Sequence, residues 1–179
     1  MREFKGFLSD WQAGFRAERG CRDNILLLKV LIDKVIDNNE QICITFIDYS
    51  AAFDSVGHKF LDQSLKAARK TRTIFKAIYD VAVGVAKVRD LNGKTIYSEQ
   101  FEIRRGVIQG DIMSPVFFVL AMEQIFRRHD AGSDGVDVGN HLHIGVLGYA
   151  DDAALISSSP STMGDQGSKR LACGWGHGD

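Results

Sequence analysis

His143-Ile144-Gly145-Val146-Leu147-Gly148-Tyr149-Ala150-Asp151-Asp152-Ala153-Ala154-Leu155-Ile156-Ser157 is the stretch that decides the fold. His143–Gly148 and Ala153–Ser157 are strand-like runs, and Tyr149-Ala150-Asp151-Asp152 stands between them. The stretch therefore reads as a hairpin with two carboxylates at its tip. Side chains alternate along a strand, so a tight turn is needed to bring both carboxylates near one point. Their repulsion raises at least one pKa unless a cation compensates. A divalent ion keeps both ionised, and an all-oxygen donor set favours Mg²⁺ or Mn²⁺ over zinc. Taken alone, the tetrapeptide also fits a solvated turn, where Asp is common.

A second acidic site lies a hundred residues upstream. Ile42–Ile47 is short, apolar and β-branched, which predicts a buried strand, and Asp48 ends it. A carboxylate at a strand end is rigidly held and open to a ligand. Asp48 with Asp151 and Asp152 suits the two-metal chemistry of phosphoryl and nucleotidyl transfer. The plainer reading of Asp48 is an N-cap for a following helical turn. Asp54 reads as an N-cap or helix-surface residue, with metal ligation as the alternative. A third feature is Arg104-Arg105-Gly106-Val107-Ile108-Gln109-Gly110-Asp111-Ile112-Met113-Ser114-Pro115. Gly110 allows close approach to a flat ligand, and Gln109 can hydrogen-bond a sugar or base edge. An ordinary helix-entry loop is the alternative.

The remaining elements follow from periodicity. Asp23–Asn38 reads as a helix capped by Asp23 and stopped at Asn38-Asn39. His58–Ala68 and Thr71–Val81 read as two more. Val85–Asp90 and Thr95–Ile103 flank Asn92-Gly93, a hairpin signal. Ser114–His129 reads as a helix with Pro115 near its first turn, and Ala131–Asn140 as a loop. From Ser158 onward periodicity ends, and Pro160 with five later glycines predicts a flexible tail. Helices and strands mix without strict alternation, so the expected class is α+β.

Composition sets bounds. The chain has 179 residues, with 22 Lys+Arg against 23 Asp+Glu, so bulk charge alone does not hold it on nucleic acid. Asp62–Lys94 nevertheless holds eight cations and three anions, either a solvated helix face or a phosphate-tracking surface. Arg127-Arg128 reads as helix-dipole compensation. His141 and His143 alternate without a third soft ligand nearby. Cys21, Cys43 and Cys173 signal neither a disulfide framework nor a zinc knuckle, and Cys43 reads as a small hydrophobe. The longest apolar run, Pro115–Met122, is far short of the ~20 residues that span a bilayer. The N-terminus lacks a signal-peptide core. The expectation is an intracellular chain with no membrane partner.

Three segments, Asp48/Phe53, Gln109-Gly110 and Tyr149-Ala150-Asp151-Asp152, resemble in order the palm motifs of reverse transcriptases. The flanking text is similar to non-LTR (LINE-type) retrotransposons. Gln12-Ala13-Gly14-Phe15-Arg16 with Cys21-Arg22-Asp23 resembles the family's fingers-side segment. Phe46–Val56 with His58 resembles its first palm motif, Gly106–Pro115 its second, and Gly148–Asp152 its third. The resemblance covers roughly Trp11–Ser159.

It implies a polymerase palm-like antiparallel sheet with packed helices, plus part of the fingers and no thumb. By domain, it implies partial fingers at 1–40, the palm with motifs A, B and C at 41–159, and an unmatched tail at 160–179. The implied function is RNA-directed DNA polymerase, with RNA template, DNA primer and dNTP as partners and Mg²⁺, or Mn²⁺, as cofactor. Asp48, Asp151 and Asp152 would be catalytic and bind metal. Backbone amides near Ala51 and Ala52 would meet the triphosphate, and Phe53 would exclude a ribose 2′-OH, with a core aromatic as its alternative reading. Gln109 and Gly110 would shape the dNTP pocket, Arg16 would lie near the template, and the location would be the nucleus. Departures also follow: Ile108 stands where Arg is frequent, Ala67–Thr73 is a few residues short, and further fingers segments and a thumb are unmatched. The isolated chain is accordingly expected to show little or no polymerase activity. The alternative is an inactive remnant that binds nucleic acid or protein.

Overall fold

The computed structural model describes residues 6–130, 134–139 and 143–159. Over those residues it is a mixed α+β fold of five helices and small antiparallel sheets, as the element order predicted.

The main sheet has three strands: β1 (Cys43–Ile47), β8 (Val146–Tyr149) and β9 (Asp152–Ser157), in the order β1-β9-β8 and all antiparallel. Alternation along the central strand serves two layers. Ala153 and Leu155 join the cluster around α5 (Ser114–Asp130), with Phe117, Phe118, Phe126 and Val146. Ala154 and Ile156 face the other way, into a cluster with Leu31 and Val35 of α1 (Cys21–Asp37) and Leu147. The sheet is thus covered by one helix on each side, which explains why β9 is apolar at both parities. Leu155 and Ile156 are fully buried, each worth about 1.5–3 kcal/mol by removal of apolar surface from water. Gly148 is required where α5 crosses, because a Cβ there would lie 2.4 Å from the Phe126 ring.

Several boundaries differ from expectation. α1 begins two residues early, with Gly20 as its N-cap. Asp23 sits at the third position instead, and its Oδ2 accepts the Gly20 N–H at 2.9 Å. The stop at Asn38-Asn39 holds, with Asn39 at φ +54°. A short α2 (Ala52–Ser55) precedes α3 (His58–Ser64) and α4 (Arg69–Tyr79). Its cap is Ala51, not Asp48.

The Asn92-Gly93 hairpin forms, but as β3 (Lys87–Arg89) against β4 (Thr95–Tyr97). Asp90 Oδ1 ties its turn by accepting the Asn92 and Lys94 N–H groups. The outer residues form a separate ladder, β2 (Val83–Gly84) with β5 (Phe101–Glu102). Ser98 makes the break: its hydroxyl accepts the Ala86 N–H at 2.9 Å and donates to the Glu99 carbonyl at 2.8 Å. The expected 131–140 loop contains a strand, β6 (Val136–Asp137), paired with β7 (His143–Ile144). Two residues are too few to register as a period, so sequence pattern missed it. His141, Cys173 and the 160–179 tail lie outside the described residues.

Among the described residues, no helix is long and apolar enough to cross a membrane.

Candidate active site

Two strand ends meet at one edge of the main sheet. β1 pairs with β9 so that Ile47 faces Ala153. One further step in that register sets Asp48 opposite Asp152. β8 and β9 close at Tyr149 opposite Asp152, leaving Ala150-Asp151 as a two-residue turn. Ala150 takes φ +58°, the left-handed conformation that such a turn demands of its first central residue. Asp48, Asp151 and Asp152 therefore share one end of the sheet. Asp48 and Asp152 are exposed and line one recess of about 300 Å³, with Phe46, Leu147 and Tyr149. No protein group among the described residues hydrogen-bonds or pairs with these three carboxylates. Nor are any three His, Cys, Asp or Glu side chains there gathered closely enough to hold a metal ion. The donor set is nonetheless all-oxygen and uncompensated by a neighbouring cation, which fits a hard divalent ion.

The turn is held from behind. Gln12, fully buried, accepts the Ala150 N–H at 3.0 Å and the Gly14 N–H at 2.8 Å through Oε1. Backbone bonds from Ala13 N–H to Gly148 O (2.9 Å) and Gly148 N–H to Trp11 O (3.0 Å) dock its segment beside β8. Glu123, also fully buried, anchors the preceding residues by accepting the Ser9 N–H at 2.9 Å and the Ser9 hydroxyl at 3.0 Å. Arg127 completes that group, with Nε on Glu123 Oε1 at 2.5 Å and a guanidinium N–H on the Phe7 carbonyl at 3.0 Å. Arg127 thus has a partner beyond the helix dipole.

A second recess, of about 260 Å³, is lined by Phe53, Ile108, Gln109, Gly110, Asp111, Ser114 and Pro115. Phe53 stacks on Phe118 at 4.1 Å between ring centres and meets Phe15 edge-on at 6.1 Å, so its ring is both packed and pocket-lining. Gln109 donates Nε2–H to Asp54 at 3.1 Å, which places Asp54 on α2 facing this loop. Ala51 has φ +50°, and its carbonyl accepts the Asp54 and Ser55 N–H groups at 3.0 Å; Ala52 beside it is buried. The loop's shape comes from residues for which spacing suggested no role. His58 Nε2 lies 2.8 Å from the Gly106 carbonyl, and Tyr79 Oη accepts the Ile108 N–H at 2.9 Å. Ser114 Oγ donates to the Ile108 carbonyl at 2.7 Å.

Arg16 donates to the Ser9 carbonyl at 2.6 Å and the Gln12 carbonyl at 3.0 Å, bracing its own loop. In the basic stretch, Arg72 pairs with Asp62 at 2.7 Å and Lys76 with Asp80 at 3.5 Å. The hydrogen bond from Arg72 holds the Asp62 carboxyl below the usual carboxylate range, and burial opposes it. Lys87, Arg89 and Lys94 on the β3–β4 hairpin have no such partner among the described residues.

The chain matches the family described as "Reverse transcriptase (RNA-dependent DNA polymerase)" over residues 1–172. It belongs to the reverse transcriptase family. Among characterised proteins it is 30% identical over 148 residues to the Pol polyprotein of the type-2 retrotransposable element R2DM of Drosophila melanogaster. It is 28% identical over 157 residues to the Pol polyprotein of the R2 element of Nasonia vitripennis. It thus resembles the Pol proteins of R2 non-LTR retrotransposons. The matched regions cover 83% and 86% of this chain but only 14% and 15% of those proteins. Its fold is similar to telomerase from Candida tropicalis in complex with a TWJ fragment of telomeric RNA, at TM-score 0.56 and 15% identity. That match covers 80% of this chain and 25% of the other.

Proposed function

We propose that the chain is the palm and partial fingers of an RNA-directed DNA polymerase, with residues 41–159 as palm and 1–40 as fingers. The observation that carries this is the position of Asp48 and Asp151-Asp152 at one sheet end, with no protein partner among the described residues. Asp48, Asp151 and Asp152 would hold Mg²⁺, or Mn²⁺. When bound, the ions supply the charge that lowers the pKa of a primer 3′-hydroxyl and stabilises the departing pyrophosphate.

The chain's own residues do the rest. The backbone at Ala51 and Ala52, where α2 begins, meets the incoming triphosphate. Phe53, braced by Phe118, sets the sugar's clearance and excludes a 2′-hydroxyl. Gln109 and Gly110 wall the dNTP pocket, and Arg16 lies on the template side. RNA template, DNA primer and dNTP are the partners.

A second reading, a non-catalytic module that binds nucleic acid, is favoured by the ungathered carboxylates. Primer extension on poly(rA)/oligo(dT) with Mg²⁺ separates the two, beside an Asp151→Asn/Asp152→Asn control. Extension abolished in the control supports the polymerase. Equal binding of template–primer by both proteins, without extension by either, supports the module.

A further inference from the structure

We propose that Gln12 is a positioning residue for the Ala150-Asp151 turn, and that its side-chain amide sets where the Asp151 and Asp152 carboxylates stand. The proposal rests on reading those aspartates as metal-binding. Gln12 lies 138 residues from Ala150 and has no exposed surface. A buried amide must place its donors and acceptor on partners, or forfeit their solvation. Gln12 spends its oxygen on two backbone N–H groups, those of Gly14 and Ala150, at 2.8 and 3.0 Å. Its Nε2 points back at the Ala150 carbonyl at 3.4 Å. The amide thus grips the backbone of Ala150 from both sides.

Ala150 needs such a grip. It is a non-glycine residue at φ +58°, and it is buried. A left-handed residue with a Cβ persists only where its surroundings over-determine it. The first central residue of an ordinary two-residue hairpin turn leaves its N–H to water. Here that N–H is bonded inside the protein. Asp151 follows directly, so any rotation about Ala150 moves its carboxylate relative to Asp48 and Asp152.

Neighbouring residues limit the clamp's freedom. A Cβ on Gly14 would lie 2.2 Å from the Ala150 nitrogen, so only glycine allows the two backbones to meet. Asn24 Nδ2 donates to the Gly148 carbonyl at 2.9 Å, fixing the strand that leads into the turn. Arg16, on the Gln12 and Ser9 carbonyls, holds the loop closed from outside. Gln12 is a rigid support for the turn, not a group that touches substrate.

The test is Mn²⁺ binding by the 179-residue chain, followed by the electron-spin-resonance signal of free Mn²⁺. The proteins compared are wild type, Gln12→Leu, Gln12→Glu and Asp151→Asn/Asp152→Asn. Leu fills similar space without an acceptor. Glu keeps an acceptor oxygen in either protonation state and, when protonated, an O–H donor for the Ala150 carbonyl, so it rescues the clamp. The expected result is Mn²⁺ affinity about tenfold weaker in Gln12→Leu, equivalent to about 1.4 kcal/mol. Gln12→Glu should stay within about threefold of wild type, since its acceptor remains, while circular dichroism shows cooperative unfolding throughout.

Gln12→Leu binding Mn²⁺ like wild type, with the double Asp variant binding none, would overturn the clamp and leave the metal site standing. Equal binding by wild type and the double Asp variant would overturn the metal-site reading, and the clamp with it. If Gln12→Leu fails to fold, hydrogen exchange of the wild type decides. The Ala150 amide should be protected at least about a hundredfold, as a bonded interior amide is. Exchange at the rate of a free turn amide would overturn the clamp.

Discussion

Replacing Glu123 with Gln changes one atom and removes one charge from the interior. Glu123 has no exposed surface and receives three donors: the Ser9 N–H, the Ser9 hydroxyl and Arg127 Nε–H. A Gln at 123 keeps one acceptor oxygen for the Ser9 N–H and Arg127, while its NH₂ takes the place of Oε2. The Ser9 hydroxyl must then reverse and accept. The bond from the Ser9 N–H falls from charge-assisted strength, about 1.5–3 kcal/mol, to neutral strength, about 0.5–1.5 kcal/mol, while the bond from Arg127 keeps its ionised donor and loses its anionic acceptor. The expected loss is therefore about 2 kcal/mol. Arg127→Ala should cost less, about 1 kcal/mol or under, because the Arg127 side chain is 50% exposed and water replaces part of what it gives. Urea denaturation measures both, with an unchanged m-value as the sign that the native state is still compact. A Glu123→Gln variant within about 0.5 kcal/mol of wild type, the usual range of a surface change, would refute the reasoning. So would an Arg127→Ala variant that loses more than Glu123→Gln. Because Ser9 leads directly into Gln12, Glu123→Gln should also raise hydrogen exchange at the Ala13 and Gly148 amides, which join the two segments.

Two other predictions concern the Gln109 loop and the acid range. Gly106 holds φ +81°, and a Cβ there would lie 2.8 Å from the Asp54 carbonyl oxygen. Gly106→Ala should cost about 2–4 kcal/mol from left-handed strain plus the clash, and thermal unfolding unchanged from wild type would refute this. Asp62 is depressed in the folded state by its hydrogen bond from Arg72. Its contribution is complete above the unfolded carboxylate pKa of about 4, and is lost as pH falls through the lower folded value. The stability gap between wild type and Arg72→Ala should therefore be flat above about pH 4 and shrink below it. A gap that stays constant down to pH 2 would show that Arg72 acts through packing alone.

Much of this protein is written in short-range pattern. The β8–β9 hairpin, the long helices and the Asn92-Gly93 turn all follow from local periodicity and turn chemistry, which act over a few residues; the strand ending at Asp48 follows too, but its expected burial does not, since Thr45 and Phe46 are exposed. Local chemistry also named Asp48, Asp151, Asp152, Gln109 and Gly110 as the residues to watch, and the family resemblance added Phe53. The local rules failed where neighbours in space overrule neighbours in sequence. Ser98, bonded to Ala86 twelve residues away, split one expected strand pair into two.

The sequence by itself marked the candidate residues for reactive chemistry and the elements on which they ride, because hydrophobic period and turn preference are properties of the local chain. The tertiary structure alone decided how those residues are supported. Gln12 reaches Ala150 across 138 residues, and Glu123 reaches Ser9 across 114. Nothing local distinguishes a buried Gln or Glu from an exposed one. Only packing removes water from them, and that removal turns an ordinary amide and carboxylate into the groups that hold the turn.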